Sequence, residues 1–175
     1  MARIEYADLQ DPALQPLVER VAGARGNVLH LYRMLMHSVP VAAGWLDYLS
    51  AIRQHTTLDA ALRELVIMRI AYLNRAPYEA DQHEPIALRA GLSRAQLVAL
   101  ALETPDPALF DERARAVLAY TDAMTRSVQV DDAVFNALRP HFGERALVER
   151  TATVAAYNMV SRLLEALQVR SADSP

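Results

Sequence analysis

Apolar residues in this chain recur three and four positions apart and nowhere alternate with polar residues for long, which is the pattern of helices rather than strands. Asn-Gly and Asp-Gly hairpin signals are missing too. The spacing predicts a first helix from Pro12 to Ala22, closed by Gly23 and Gly26. A second runs from Asn27 to His37, with Leu29, Tyr32, Arg33 and Met36 at helical spacing. Pro40 opens a third through Trp45, Leu49 and Ile52. Thr57 is the expected N-cap of a fourth, Leu58 to Leu73, with Asp59 in its first turn. Pro77 suits the first position of a fifth helix, which ends at Gly91. Pro85 inside it removes one backbone hydrogen bond and predicts a kink just after His83. Ser93 with Gln96 forms a capping box for a short sixth helix. The stretch Thr104-Pro105-Asp106-Pro107 reads as a linker, and three more helices follow, over Asp111–Arg126, Asp131–Phe142 and Glu144–Val169.

The fold class expected is therefore all-α. The chain divides into an N-terminal arm and first helix (1–25), a helical domain (26–170) and a frayed tail (171–175). Leu62-x-Glu64 followed by Tyr72 is echoed by Leu147-x-Glu149 followed by Tyr157, as if two helical halves were related. The fourth helix is apolar on most of its surface, through Leu62, Leu65, Val66, Met68, Ile70 and Leu73. A helix apolar nearly all round is buried, often between subunits, so a homo-oligomer is expected.

Composition narrows the chemistry by exclusion. There is no cysteine, so disulfides, thiol catalysis and cysteine-ligated metal are excluded. All 18 basic residues are Arg, so no lysine Schiff base can form. A net charge of −3 gives no reason to expect a nucleic-acid or membrane partner. The opening MARIEYADLQDP has no apolar core and no 18-residue apolar run exists, which predicts a cytoplasmic protein. Five glycines form no phosphate loop, and Ser38, Ser50 and Ser161 lack a nucleophile elbow.

The candidate chemistry lies between Glu64 and His83. Glu79 and His83 are four apart, so they share a helix face. A carboxylate beside an imidazole orients its tautomer and favours its charged form, which makes a proton shuttle near neutral pH. Glu64 stands among Leu65, Val66, Ile67 and Met68, where an inward carboxylate must be paired, hydrogen-bonded or protonated. Each of these residues, taken alone, also fits a solvent-facing side chain or a structural ion pair. His30, His37, His55 and His141 have no carboxylates at ligand spacing and read as structural or surface residues. One His with two carboxylates is a poor zinc set, and the spacing is not that of di-iron sites, so no metal or other cofactor is expected.

From Gly26 to Leu167 the chain resembles the carboxymuconolactone decarboxylase family, within the alkylhydroperoxidase D-like superfamily. Three stretches carry the resemblance: Leu35-Met36-His37-Ser38-Val39-Pro40; Glu64 through Tyr78-Glu79-Ala80-Asp81-Gln82-His83 to Ser93; and Tyr157-Asn158-Met159-Val160-Ser161-Arg162-Leu163. The resemblance implies an all-α bundle that assembles into trimers or hexamers. In peroxidase members the positions of Glu64 and His83 carry the same residues, and a cysteine pair stands at Ala76 and Glu79. Without a thiolate, peroxidase activity survives here as a label only. Tyr78-Glu79 before His83 is similar to the decarboxylase-like branch, which often has Trp where this chain has Ala80.

The resulting expectation is metal-free acid–base, lyase-type chemistry on a small carboxylated lactone or related acid. His83 is the expected acid/base, Glu79 its partner, Glu64 an orienting carboxylate and Tyr78 a hydrogen-bond donor. Arg33, Arg63 and Arg69 are unranked candidates for holding the substrate carboxylate. The rival readings are a non-catalytic oligomeric binding protein and a metal-dependent hydrolase or oxygen-using enzyme.

Overall fold

The structure, a computed structural model, describes residues 1–174. Nine α-helices and no strand occur among the described residues. They are α1 (Gln15–Arg25), α2 (His30–Leu35), α3 (Val39–Ser50), α4 (Ala60–Leu73), α5 (Pro77–Arg89), α6 (Arg94–Leu100), α7 (Glu112–Ser127), α8 (Asp132–Asn136) and α9 (Glu144–Leu167). The chain forms two compact units, residues 1–55 with 164–175, and residues 56–163. None of the described helices is long and apolar enough to cross a membrane.

In the first unit, α1 ends where Gly26 turns left-handed at φ 83°, its N–H bonded to the Ala22 carbonyl. Only α2, six residues long, forms within the longer helix expected over 27–37, because Leu29 is extended at ψ 156°. Pro40 lies in the first turn of α3, which runs on into a π-helical turn, Ala51–His55. His30 and His37 each place a ring nitrogen on a backbone carbonyl, of Arg170 (3.1 Å) and Glu5 (2.7 Å). Asp173 accepts the Tyr6 hydroxyl at 2.6 Å, within the expected tail; Pro175 lies outside the described residues.

In the second unit, α4 is the central helix, packed by α5, α6 and α7. Val66, Ile67, Met68 and Ile70 are fully buried, as its nearly all-round apolar surface requires. Its N-cap is Asp59, whose side chain accepts from Leu62 N, and not Thr57. Thr57 gives both its N–H (2.8 Å) and its hydroxyl (2.6 Å) to Glu149 instead. The expected capping box of α6 is present in both directions between Ser93 and Gln96. By contrast α8 stops at Asn136, short of the expected Phe142. Pro140 disfavours helix at Arg139 before it, and the chain continues through i to i+3 bonds, Arg139 to Asn136 and His141 to Leu138.

Arg69 fastens this unit together. It is 1% exposed, and its five N–H groups meet five acceptors. Nε and Nη2 grip the two oxygens of Asp122 on α7. Nη1 and Nη2 take the carbonyls of Leu100, Leu102 and Glu103, which the end of α6 leaves without helical partners.

Candidate active site

The candidate residues come together in the second unit where α4 meets α5. The two helices are joined by a tight turn. Arg75 takes positive φ (53°) and Ala76 N–H bonds the Ala71 carbonyl at 2.8 Å. Pro77 then starts α5 at once, so Tyr78 and Glu79 fall in its first turn. Tyr78, Glu79, His83 and Ala87 form the buried face of α5.

His83 Nδ1 lies 2.7 Å from Glu64 Oε2. Glu64 is fully buried, and its other oxygen takes Arg63 Nε at 3.3 Å. A carboxylate held by a guanidinium is an acceptor, which assigns a proton to His83 Nδ1. The edge of the imidazole meets Tyr157, with ring centroids 5.2 Å apart at 88°. Sequence reasoning places Glu79 next to the imidazole and Glu64 behind it. The partner at Nδ1 is Glu64, which projects from the adjoining helix at the ring.

The Glu79 carboxyl, 2% exposed, is hydrogen-bonded to Ser161 on α9. Ser161 is also 3.0 Å from the carbonyl of Tyr157, one turn earlier. Its position is set by a buried amide, Asn158. Asn158 accepts from Asn74 at the end of α4 (3.0 Å) and donates to Thr125 on α7 (3.0 Å). The same carbonyl oxygen of Asn158 takes Arg162 Nη1 at 2.9 Å. This knot fixes α9 so that Tyr157 and Ser161 face α5. Ser161 has no nucleophile elbow around it and is not expected at the site on that ground. The signal that could have found it is its place in the stretch Tyr157–Leu163, one helical turn after Tyr157.

Of the three arginines considered for a substrate carboxylate, Arg63 stands at the site on Glu64. Arg69 has its donors occupied as described. Arg33, in the first unit, lies over the Tyr6 ring at 5.9 Å with Nη2 near the Ala7 carbonyl. No group of three His, Cys, Asp or Glu side chains among the described residues is arranged to hold a metal ion. Ala76, 1% exposed, lines an open groove of about 470 Å³ with Tyr72, Pro77, Ala80, Asp81 and Glu84. The Tyr72 phenol in that groove is raised above its ordinary value by burial first and then by Glu84 and Asp81. The two echoed segments differ in use. Glu64 is buried on an imidazole, whereas Glu149 is half-buried on Thr57.

Comparison with known proteins bears on the family and the fold. The family model described as carboxymuconolactone decarboxylase matches residues 40–123. The chain is similar to the protein YnjA of Escherichia coli K12, 31% identical over 137 residues, covering 77% of this chain and 71% of that protein. Its fold is similar to that of a peroxidase-related protein with an alkylhydroperoxidase AhpD core from Ralstonia eutropha JMP134 (TM-score 0.82, 20% identity, 98% of this chain and 93% of the other). It is also similar to the debrominase Bmp8 in complex with 2,3,4-tribromopyrrole (TM-score 0.78, 20% identity, 97% and 93%). With the Glu64, Glu79 and His83 cluster on the α4–α5 hairpin and these matches along most of its length, the chain belongs to the carboxymuconolactone decarboxylase family, on the all-helical AhpD-like fold.

Proposed function

We propose that this protein is a cofactor-free acid–base enzyme of the lyase type, acting on a small carboxylated lactone or a related acid. The observation that carries the reading is two buried carboxyls with unlike partners on one α-helical hairpin and its neighbour. Glu64 is bound to an arginine and the imidazole, and Glu79 to a serine hydroxyl. Environments that push two carboxyls apart assign one as anion and the other as acid.

Ser161 has one hydroxyl proton and faces two acceptors, the Tyr157 carbonyl and Glu79. Both contacts are satisfied if Glu79 is neutral and donates to Ser161, which in turn donates to the carbonyl. Glu79 then stores a proton at rest. Its place in the first turn of α5 favours the anion left after that proton moves. Glu64 holds His83 with Nε2 ready to take or return a proton.

In a vinylogous decarboxylation the bond to the carboxylate breaks and CO2 leaves. The electron pair runs through the conjugated system to the lactone oxygen. Collapse of that dienolate takes one proton at carbon, supplied by His83 or Glu79 and restored from water. Arg63 and Tyr78 are the candidate donors to the substrate carboxylate and the developing oxyanion.

Purified protein assayed with γ-carboxymuconolactone, following CO2 release, should turn over, and a folded His83→Ala variant should lose the activity. Unchanged turnover in that variant would refute the role of His83. An inactive parent would shift the reading to a binding protein, which the near-complete burial of Glu64, Glu79 and His83 also fits. Assembly as a homo-oligomer, trimer or hexamer, is part of the proposal.

A further inference from the structure

A cavity of about 220 Å³ opens in the second unit between the N-termini of α4 and α7, and none of the residues lining it belongs to the cluster around His83. Its apolar wall includes Leu62, Leu65 and Leu92, and its charged rim is Asp59, Asp111 and Arg113. Each aspartate spends an oxygen on its own helix. Asp59 accepts from the Leu62 N–H at 3.0 Å, and Asp111 from the Ala114 N–H at 2.7 Å. A helix start leaves further N–H groups without intrahelical partners and carries roughly +0.5 of a charge, and two such starts line this one space. Arg150, on α9, stands beside it. Its guanidinium lies 4.0 Å from the centre of the Phe142 ring, and that of Arg113 lies 5.0 Å from the same centre. Two groups of the cavity rim, Arg113 and Asp59, act on the Arg150 charge. Arg150 is 1% exposed, and its Nε and Nη1 have no acceptor among the described residues. Arg113 is exposed and forms no ion pair or hydrogen bond among them. Two arginines, two aspartates and two helix starts leave this place with roughly one positive charge in excess.

We propose that this cavity is a binding site for a small oxyanion, a carboxylate or a phosphate, which enters past Arg113 and is gripped by Arg113 and Arg150 at the two helix N-termini. A buried cation without an acceptor selects an anion over an amine or a neutral ligand. The planar fork of a guanidinium matches either head group with paired hydrogen bonds. The cavity is smaller than the roughly 300–1,000 Å³ of drug-sized ligand sites, so its occupant is a free ion or a short-chain acid. Leu62, Leu65 and Leu92 offer a wall for the body of such an acid. The site does not depend on the chemistry at His83, where Glu64 and Glu79 have partners of their own. An occupant held by Arg113 on α7 and Arg150 on α9, against the start of α4, joins three helices at one point and therefore stabilises the fold.

The probes are inorganic phosphate and butyrate, each titrated into the full chain by calorimetry against sodium chloride at matched ionic strength. The parent should bind each at one site per chain. Its Tm should rise by about 3–6 °C at about ten times the measured Kd. Arg150→Met, which keeps the apolar stem, and Arg113→Glu should each weaken binding by about tenfold or more and flatten the rise in Tm. Arg20→Met, at an exposed arginine of the first unit, should behave as the parent does. Arg113 is exposed, so Arg113→Glu decides the matter even where Arg150→Met does not fold. Tighter binding of butyrate identifies an organic acid as the occupant, tighter binding of phosphate identifies the free ion, and either supports the site. No heat and no shift in Tm with either probe would overturn the proposal. Parent-like affinity in Arg113→Glu, or in folded Arg150→Met, would overturn it as well, because the anion would then be bound elsewhere, the candidate active site included.

Discussion

Two buried arginines in the second unit should respond oppositely to the same substitution. Arg69 and Arg150 are each 1% exposed. Arg69 has an acceptor for every N–H. Arg150 has none for Nε or Nη1 and instead lies over the Phe142 ring at 4.0 Å, with Arg113 over the same ring at 5.0 Å. Burial first, and then the Arg113 charge, push Arg150 down to about 10 from an ordinary 12.5, with Asp59 partly opposing. A fall of that size is worth about 3 kcal/mol against the charged form, and it is fully present at any pH below about 10, including neutral pH. The contact with Phe142 returns about 0.5–2 kcal/mol. Arg150→Met keeps the apolar stem and removes the charge, so it should stabilise by about 1–2 kcal/mol. Arg69→Met takes the donor from the Leu100 and Leu102 carbonyls and leaves Asp122 and the Glu103 carbonyl only the longer contacts of Arg126, 3.7 and 3.5 Å. Breaking a buried pair of this kind costs about 3–5 kcal/mol, a fall in Tm of about 6–20 °C for a chain of this size. Urea titrations of the parent and both variants at one protomer concentration measure the difference directly. If Arg150→Met loses more than about 1 kcal/mol, the picture of an uncompensated cation is wrong.

Glu149 is held below its ordinary value of 4.5, chiefly by the Thr57 hydroxyl, with burial opposing and the Thr57 N–H and Arg145 assisting. Its contribution is therefore present above 4.5 and lost as pH falls through the lowered value. Glu149→Gln should be less stable than the parent at pH 7, with the gap closing in acid; a gap that stays constant to about pH 3 would refute this. Val128 leaves α7 at φ 65°, a left-handed conformation that a β-branched residue tolerates poorly, and its side chain is 77% exposed. Val128→Gly should raise stability by about 1 kcal/mol in thermal unfolding, and a loss would refute the strain. A neutral Glu79 should show a protonated-carboxyl C=O band in infrared difference spectra that Glu79→Gln abolishes and Ser161→Ala shifts; its absence from the parent would remove Glu79 as the stored proton.

Helix identities were legible where the signal was local. The Ser93–Gln96 box, Pro77 at a helix start and Gly26 at a helix end each work through neighbours a few residues away. One boundary moved because a distant group won. Thr57 has the right chemistry for a cap, but Glu149, 92 residues on, takes both of its donors. The helix expected to reach Phe142 yields to Pro140. At the site, helical spacing paired Glu79 with His83, apolar neighbours marked Glu64, and the family resemblance joined the three. These signals could not order them, because which carboxylate meets the ring depends on how α4 lies against α5. Arg69 looked like a free cation for a substrate, since nothing nearby in sequence reveals Asp122 or the three carbonyls that surround it. Ser161 lay in a stretch of resemblance, but nothing near it in sequence reveals Glu79, 82 residues away.

The two halves of the site differ in how far apart the chain must be closed to make them. The bond between Glu64 and His83 closes 19 residues, and that between Glu79 and Ser161 closes 82. By loop-closure entropy alone the second costs about 1.3 kcal/mol more than the first. The α4–α5 hairpin can therefore set the imidazole on its carboxylate while both acids are still wet, and α9 closes over them later. The cost of drying two carboxyls is deferred to the docking of one helix. Refolding should accordingly show His83 in place before Ser161 arrives, with proton storage at Glu79 as the last property the fold acquires.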